Sequence, residues 1–272
     1  MPRPPFLLAA LLLLGLATGC YEDRVGCTDV NAANYDLFAD DLCEDGCCEF
    51  PDLRLAVTYD YNGRSIGPGD TVRLDNGQDI TLLNLRYYLD DLSLDRGAGN
   101  DPGLPQRPQE VLTFFGTDTT LTEVNVDVYL GELGRTEARS VGSLPIGDRL
   151  PTGLSFAYGL NTDLNVVVPS SAPSGSPLRT QPGLLNFNDG RGYVQLRLQY
   201  VSAGDTLSVS SYAYTPASIP LPTDLELPAP GQDLTIGLRA DVAALLRGFR
   251  PGLEEETAAE LLRGNLAGFL AN

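Results

Sequence analysis

The sequence predicts an all-β protein: an antiparallel β-sandwich with a C-terminal helix, preceded by a small disulfide-pinned loop segment. Three observations predict it. From residue 53 onward, short stretches alternate apolar and polar side chains with a period of two, which marks half-buried strands. Clusters of Gly, Pro, Asp and Ser punctuate those stretches, as they do in sandwiches and barrels. One late segment, Leu253 to Leu270, breaks that pattern and reads as a helix.

The chain begins with Arg3, an unbroken apolar run from Phe6 to Leu16, and then Ala17-Thr18-Gly19-Cys20. A short charged start, an apolar core and small residues before a cut describe a secretory signal peptide, residues 1–19. The run is too short to cross a bilayer as a permanent helix. A cysteine directly after small residues resembles the bacterial lipobox, whose thiol is lipidated and becomes the mature N-terminus. The leucine expected in that motif stands one place early, at Leu16, with Ala17 in its position. The resemblance implies lipidation at Cys20, a membrane contact through that anchor, and an outer-membrane lipoprotein on the periplasmic or cell-surface face.

Composition narrows the function. Asp and Glu number 36 against 18 basic residues, all of them arginine. Such an acidic surface repels phosphate backbones, so no nucleic-acid partner is expected. The chain has no histidine and no tryptophan, and its one methionine is Met1. Ser-His-Asp or Cys-His catalysis is therefore excluded, as are imidazole and mature thioether metal ligands. Hydrophobic content of 43% supports a folded core.

Residues 20–52 form a Cys/Asp-rich head. Cys27, Cys43, Cys47 and Cys48 are the only cysteines after Cys20. An even count at close spacing in an exported chain reads as a disulfide module, with three possible connectivities. Cys27 with Cys43, or with a near neighbour of it, is the favoured pair; a zinc site is the rival reading. Asp29, Asp36, Asp40 and Asp41, with Asn31 and Asn34 nearby, supply the oxygen donors a hard cation such as Ca²⁺ takes. Their spacing is not that of an EF-hand, and a solvated acidic loop is the plainer reading. Gly26-Cys27-Thr28-Asp29, Ala33-Asn34-Tyr35-Asp36, Ala39-Asp40-Asp41 and Cys43 resemble a short motif of exported Bacteroidota proteins. That resemblance implies a location outside the cytoplasm rather than an activity.

The main domain covers residues 53–272. Leu53 to Tyr59 alternates cleanly, and Asn62-Gly63 and Gly67-Pro68-Gly69 are turns. Ile80 to Leu89 is a longer strand. Further strands are expected at Val111–Phe115, Val124–Leu130, Leu154–Leu160, Tyr193–Val201, Leu207–Tyr214 and Leu234–Leu238, with Asn188-Asp189-Gly190 as a hairpin turn. Gly97–Pro108 and Pro169–Gly183 read as loops. A short helix is expected from Val242 to Arg247. Glu254 to Glu256 at the start of the last helix, and Arg263 later, suit its dipole. Asp90 and Asp91 are adjacent on a strand and so are expected on opposite faces. Asp163 and Asn165 could bind a cation or cap a turn; the Asx-turn is the plainer reading.

Leu85-Arg86-Tyr87-Tyr88-Leu89-Asp90-Asp91-Leu92-Ser93-Leu94, Pro151-Thr152-Gly153, Phe156 to Asn165, Gly192-Tyr193-Val194-Gln195-Leu196, Asp233-Leu234-Thr235-Ile236 and Asn265 to Phe269 together resemble the MbnP-like domain. This is a periplasmic copper-binding family associated with methanobactin. The resemblance implies a β-sandwich and copper handling at the cell envelope. The chain departs from the family where copper is held: Leu185 to Gly190 lies where the family carries Trp, and Ser208 to Tyr214 where it carries His. Cu(I) takes thiolate, thioether or imidazole, and Cu(II) prefers imidazole. Copper is therefore not expected at the family's site, and calcium is the possible cofactor.

The sequence thus points to a non-enzymatic binding or accessory lipoprotein that meets a membrane and an envelope protein partner. The alternative is a metal-handling protein, of copper or calcium, with an altered oxygen-rich site. No spacing of carboxylates supports a hydrolase.

Overall fold

A computed structural model describes residues 22–44, 46–97, 108–116, 118–143, 150–179, 187–188, 190–226 and 228–271. The leader, Cys20 and most of the 97–108 segment lie outside the described residues. The main strands are β1 (Asp52–Tyr61), β2 (Asp79–Asp95), β3 (Pro108–Phe115), β4 (Asp118–Asn125), β5 (Tyr129–Glu132), β6 (Arg139–Ser143), β7 (Gly153–Tyr158), β8 (Leu196–Ser202), β9 (Asp205–Ser211), β10 (Thr215–Pro220) and β11 (Leu234–Asp241). Two α-helices follow β11: α1 (Val242–Leu245) and α2 (Glu255–Asn265). Among the described residues no helix is long and apolar enough to cross a membrane.

The strands make two main sheets. One has the order β6–β1–β11 and continues to Leu270–Ala271, with Arg64–Ser65 also on β1. Its β1–β11 pair is parallel, running from Leu234↔Leu53 to Asp241↔Asp60, while β6 and Leu270–Ala271 pair antiparallel. The other sheet has the order β9–β8–β2–β7–β10 and is antiparallel throughout, with β5 and Thr71–Arg73 also pairing β2. The inner faces share one core. Leu53, Leu55 and Val57 of β1 and Ile236 and Leu238 of β11 meet Leu85, Tyr87, Phe156 and Leu198 across it, and Leu262 and Phe269 join from the C-terminal segment. Phe269 meets the Tyr87 ring edge-on at 5.2 Å, a favourable aromatic geometry.

Tyr88 points the other way, as alternation along β2 requires. It belongs to a second core with Val111, Val124, Leu160, Leu164, Val167 and Tyr193. The β3–β4 hairpin is a ribbon of its own, and it contributes Val111 and Val124 to that outer core. β2 changes partner at Tyr88, whose N–H donates to the Gln195 carbonyl and whose carbonyl accepts from Gly159 N–H.

Four expectations need correction. The strand expected over Val124–Leu130 is interrupted, because Asp127 N–H turns back to Asn125 Oδ1 and β5 starts only at Tyr129. The strand expected over Tyr193–Val201 is broken at Val194–Gln195, where Gly192–Tyr193 pairs instead with Phe187–Asn188. The last helix ends at Asn265; a single 3₁₀ turn, Leu266–Gly268, leads to the short strand Leu270–Ala271. The short helix stops at Leu245, with Asp241 Oδ1 accepting Ala244 N–H at its start. β6 and β10 were not expected at all. β10 carries Pro216 and Pro220, which is tolerated because it lies at the sheet edge.

Candidate binding cleft

The register between β2 and β7 slips between Ser155 and Ala157: Ser155 faces Ser93, but Ala157 faces Asp90. One extra residue is therefore accommodated in β2, a β-bulge that re-aims side chains. Asp91 lies in it with φ 51°, a left-handed conformation that non-glycine residues adopt sparingly. The bulge cancels the alternation expected of neighbouring strand residues. Asp90 and Asp91, expected on opposite faces, line the same cleft.

Asp90 is 4% exposed. Its Oδ1 accepts Asp91 N–H at 2.7 Å, and its Oδ2 accepts Asn161 N–H at 2.8 Å. Burial pushes its carboxyl up to about 6, with the negative Asp91 adding to the rise and the two backbone donors opposing it. Asp91 is held from the other side, its Oδ1 accepting from Asn161 Nδ2 at 3.1 Å and its Oδ2 from the Tyr214 hydroxyl. Desolvation, and then the Asp91 carboxylate itself, push the Tyr214 phenol well above its ordinary value.

Asn161 organises this wall. Besides its bonds to both aspartates, its Oδ1 accepts the N–H groups of Asp163 (3.1 Å) and Leu164 (3.0 Å), opening the 3₁₀ turn Leu164–Val166. Glu123 and Asn125 at the end of β4, Asp127 in the turn after it, Ser93 of β2 and Asp163 also line this cavity of about 340 Å³. Five carboxylates face one concave space that holds no cysteine or other soft donor.

The residues singled out from the sequence fall in different places. Asp163 is in the cleft wall. Asn165 is a structural clasp: its Oδ1 accepts Tyr193 N–H at 2.8 Å and Gln195 Nε2 at 2.7 Å, and its Nδ2 donates to the Arg191 carbonyl. In the head, Cys27 pairs with Cys48, S–S 2.07 Å, and Cys43 pairs with Cys47. Cys27 thus takes a near neighbour of Cys43 rather than Cys43 itself, and no vicinal bridge forms. With Cys27 and Cys48 bonded to each other, a four-thiolate zinc site is not formed. Asp29 Oδ1 accepts from the backbone and side-chain nitrogens of Asn31. Asp36 bonds Phe38 N–H and pairs with Arg24 at 2.9 Å, and Asp40 accepts Arg24 N–H. Asp41 lies in the two-residue strand beside Val25. Asp29, Asp36 and Asp40 thus bond local turns and Arg24.

Among the described residues, Cys43, Cys47 and Cys48 are the one group of three Cys, Asp or Glu side chains whose ligand atoms all come within 4.8 Å of one another. No three of the cleft carboxylates come that close to one another. Ser210, Ser211 and Tyr212, from the strand where the family's His is expected, line a separate groove with Arg191, Glu255 and Glu260. Arg191 stacks over Tyr212 there at 5.4 Å.

Asp90, Asp91 and Asn161 were not read from the sequence as partners in a site. The available signal was the paired acid Asp90-Asp91 in an otherwise apolar strand.

No family model and no curated protein matches the sequence. Among solved structures the chain is similar to MbnP from Methylosinus trichosporium, with TM-score 0.41 and 14% identity, over 71% of this chain and 76% of that one. A likeness of that size transfers neither ligand nor activity.

Proposed function

We propose that this protein is a membrane-tethered, extracytoplasmic binding module without enzymatic activity, and that the β2-bulge cleft is its ligand-facing site. The observation that carries the reading is the bulge at Asp91, which turns two adjacent carboxylates into one cavity with Asp163, Glu123 and Asp127. An arrangement spread over that width favours a cation with several separated donors, such as a polyamine or the Lys/Arg side chains of an envelope protein. Tethering rests on the lipobox-like Cys20.

In this reading Asp90 holds the wall of the cleft, since both of its oxygens accept main-chain N–H groups. The oxygen-only donor set supports a second reading, structural calcium, and gives copper no suitable ligand.

Calorimetric titration of the soluble chain, residues 21–272, with spermidine, CaCl₂ and CuCl₂ in turn tests these readings. Spermidine binding weakened about tenfold by Asp163→Asn, as loss of one charge-assisted contact requires, is the expected result. Calcium binding at one equivalent, with no response to spermidine, would replace the organic cation with a metal. Binding of neither would remove the cleft from the proposal.

A further inference from the structure

We infer that the Leu37–Phe38 turn of the head inserts into the bilayer interface beside the lipid anchor, so that the protein is held at two points and its orientation is fixed. Half of the large hydrophobic side chains exposed among the described residues fall between Val25 and Leu42. Leu37 and Phe38 are each 71% exposed, and Val25, Val30 and Leu42 more than half. Ala39 N–H closes onto the Asp36 carbonyl, and Phe38 N–H onto Asp36 Oδ1. Leu37 and Phe38 therefore occupy the two corner positions of a β-turn, where Gly, Asn, Asp and Pro are the usual residues. A turn tip with two large apolar side chains in water is a feature that the fold of this segment does not require.

The tip is stitched to the first described residues. Asp36 N–H donates to the Cys27 carbonyl and Asp40 N–H to the Arg24 carbonyl. Arg24 pairs with Asp36 at 2.9 Å, and its guanidinium lies 5.9 Å from the Phe38 ring centroid. Both disulfides lie within this segment. Arg24 is four residues from Cys20, a span of at most about 14 Å fully extended. An acyl chain on Cys20 therefore keeps Arg24, and the tip stitched to it, within short reach of the membrane surface, where burying apolar area is favourable. Arg24 beside the ring can reach phosphate oxygens while its stem stays in the apolar layer. The carboxylates of Asp36, Asp40 and Asp41 around the tip oppose anionic headgroups, so the surface it fits is zwitterionic.

Insertion of the tip rests on the proposed lipidation of Cys20, and the test separates the two. The chain has no tryptophan, so Phe38→Trp places a single tryptophan, excited selectively over the 12 tyrosines, at an exposed position. The mature full chain carrying Phe38→Trp is bound to phosphatidylcholine vesicles with brominated or unbrominated acyl chains; the chain carrying Phe115→Trp, at the end of β3, is the comparison. The expected result is a blue-shifted emission from the Phe38→Trp chain that loses intensity with brominated lipid, and loses more than the Phe115→Trp chain does. Acylated, vesicle-bound Phe38→Trp protein that emits as in water, or is quenched no more than the Phe115→Trp protein, would overturn insertion alone. A mature chain that mass spectrometry finds unacylated would overturn the anchor and insertion with it. A blue shift that grows with protein concentration when Cys20→Ser is added to Phe38→Trp, with no lipid present, would assign the turn to a second copy instead, and would also overturn insertion.

Discussion

Asp90 makes the stability of the fold depend on pH in a direction opposite to that of an ordinary surface carboxylate. Its carboxyl titrates near 3.8 when unfolded and at about 6 in the folded chain. The folded chain thus holds this proton more tightly than the unfolded chain does. Its stabilising contribution is complete below about pH 4 and is lost as pH rises through about 6. A difference of about two pKa units at 1.36 kcal/mol each is on the order of 3 kcal/mol. At a urea m-value of about 3 kcal/mol/M for a domain of this size, the midpoint moves by about 1 M. Asp90→Asn removes the titration. It also turns an NH₂ toward one of the two backbone donors, at a pH-independent cost of about 1–3 kcal/mol. Wild type should therefore be clearly more stable than the variant at pH 4, and the gap should close by about 3 kcal/mol by pH 7. Urea denaturation of both proteins at each pH gives the difference directly, and repulsion among the other acidic groups cancels in it. A gap that stays constant from pH 4 to 7 would refute the argument.

Other outcomes follow from single contacts. A Cβ at Gly131 would lie 2.2 Å from Cζ of the buried Tyr87, so Gly131→Ala should cost about 1–3 kcal/mol by overpacking, read from the urea midpoint. Asn161→Ala removes the side-chain bond to Asp91 and the acceptor of the Asp163 and Leu164 N–H groups. It should lower stability by about 2 kcal/mol and weaken any ligand of the cleft, measured by denaturation and by calorimetry. Cys48→Ser opens the bridge to Cys27, 21 residues away. It should loosen the head by about 3 kcal/mol, seen as faster proteolysis within residues 22–50 while the melting of the sandwich is unchanged.

Strand identity was legible wherever one face of a strand is buried and the other wet. β1 shows why: Leu53, Leu55, Val57, Tyr59 and Tyr61 are buried and the residues between them are not, so the period of two is printed in the sequence. The parallel pairing of β1 with β11 was not legible, because alternation is the same whichever way a neighbour runs. β10 was missed since its prolines argue against a strand, and only its edge position, a tertiary fact, makes them harmless. β4, with Thr119, Thr120 and Glu123 exposed, buries too little to show a pattern.

The cleft was illegible for a more specific reason. Its defining event is the extra residue at Asp91, and no local preference demands it, since an aspartate with φ 51° is tolerated rather than selected. What holds it there is distributed: Asn161 from the loop after β7, Tyr214 from the segment before β10, and the Asp90 carboxylate accepting the Asp91 N–H. Each of these is an ordinary polar residue in its own segment, and each acquires its role only when β2 passes from β8 to β7 at Tyr88. By contrast, Asp29, Asp36, Asp40 and Asp41 stand out because they are close in sequence, and the first three bond local turns and Arg24. Proximity along the chain favours Asx-turns and i,i+2 bonds. The carboxylates that converge on the cleft come instead from β2, the end of β4 and the turn after β7, segments separated by tens of residues and joined only by the sheet. The bulge adds what proximity along the chain cannot: it places Asp91, held by Asn161 and Tyr214, in the wall of that cavity.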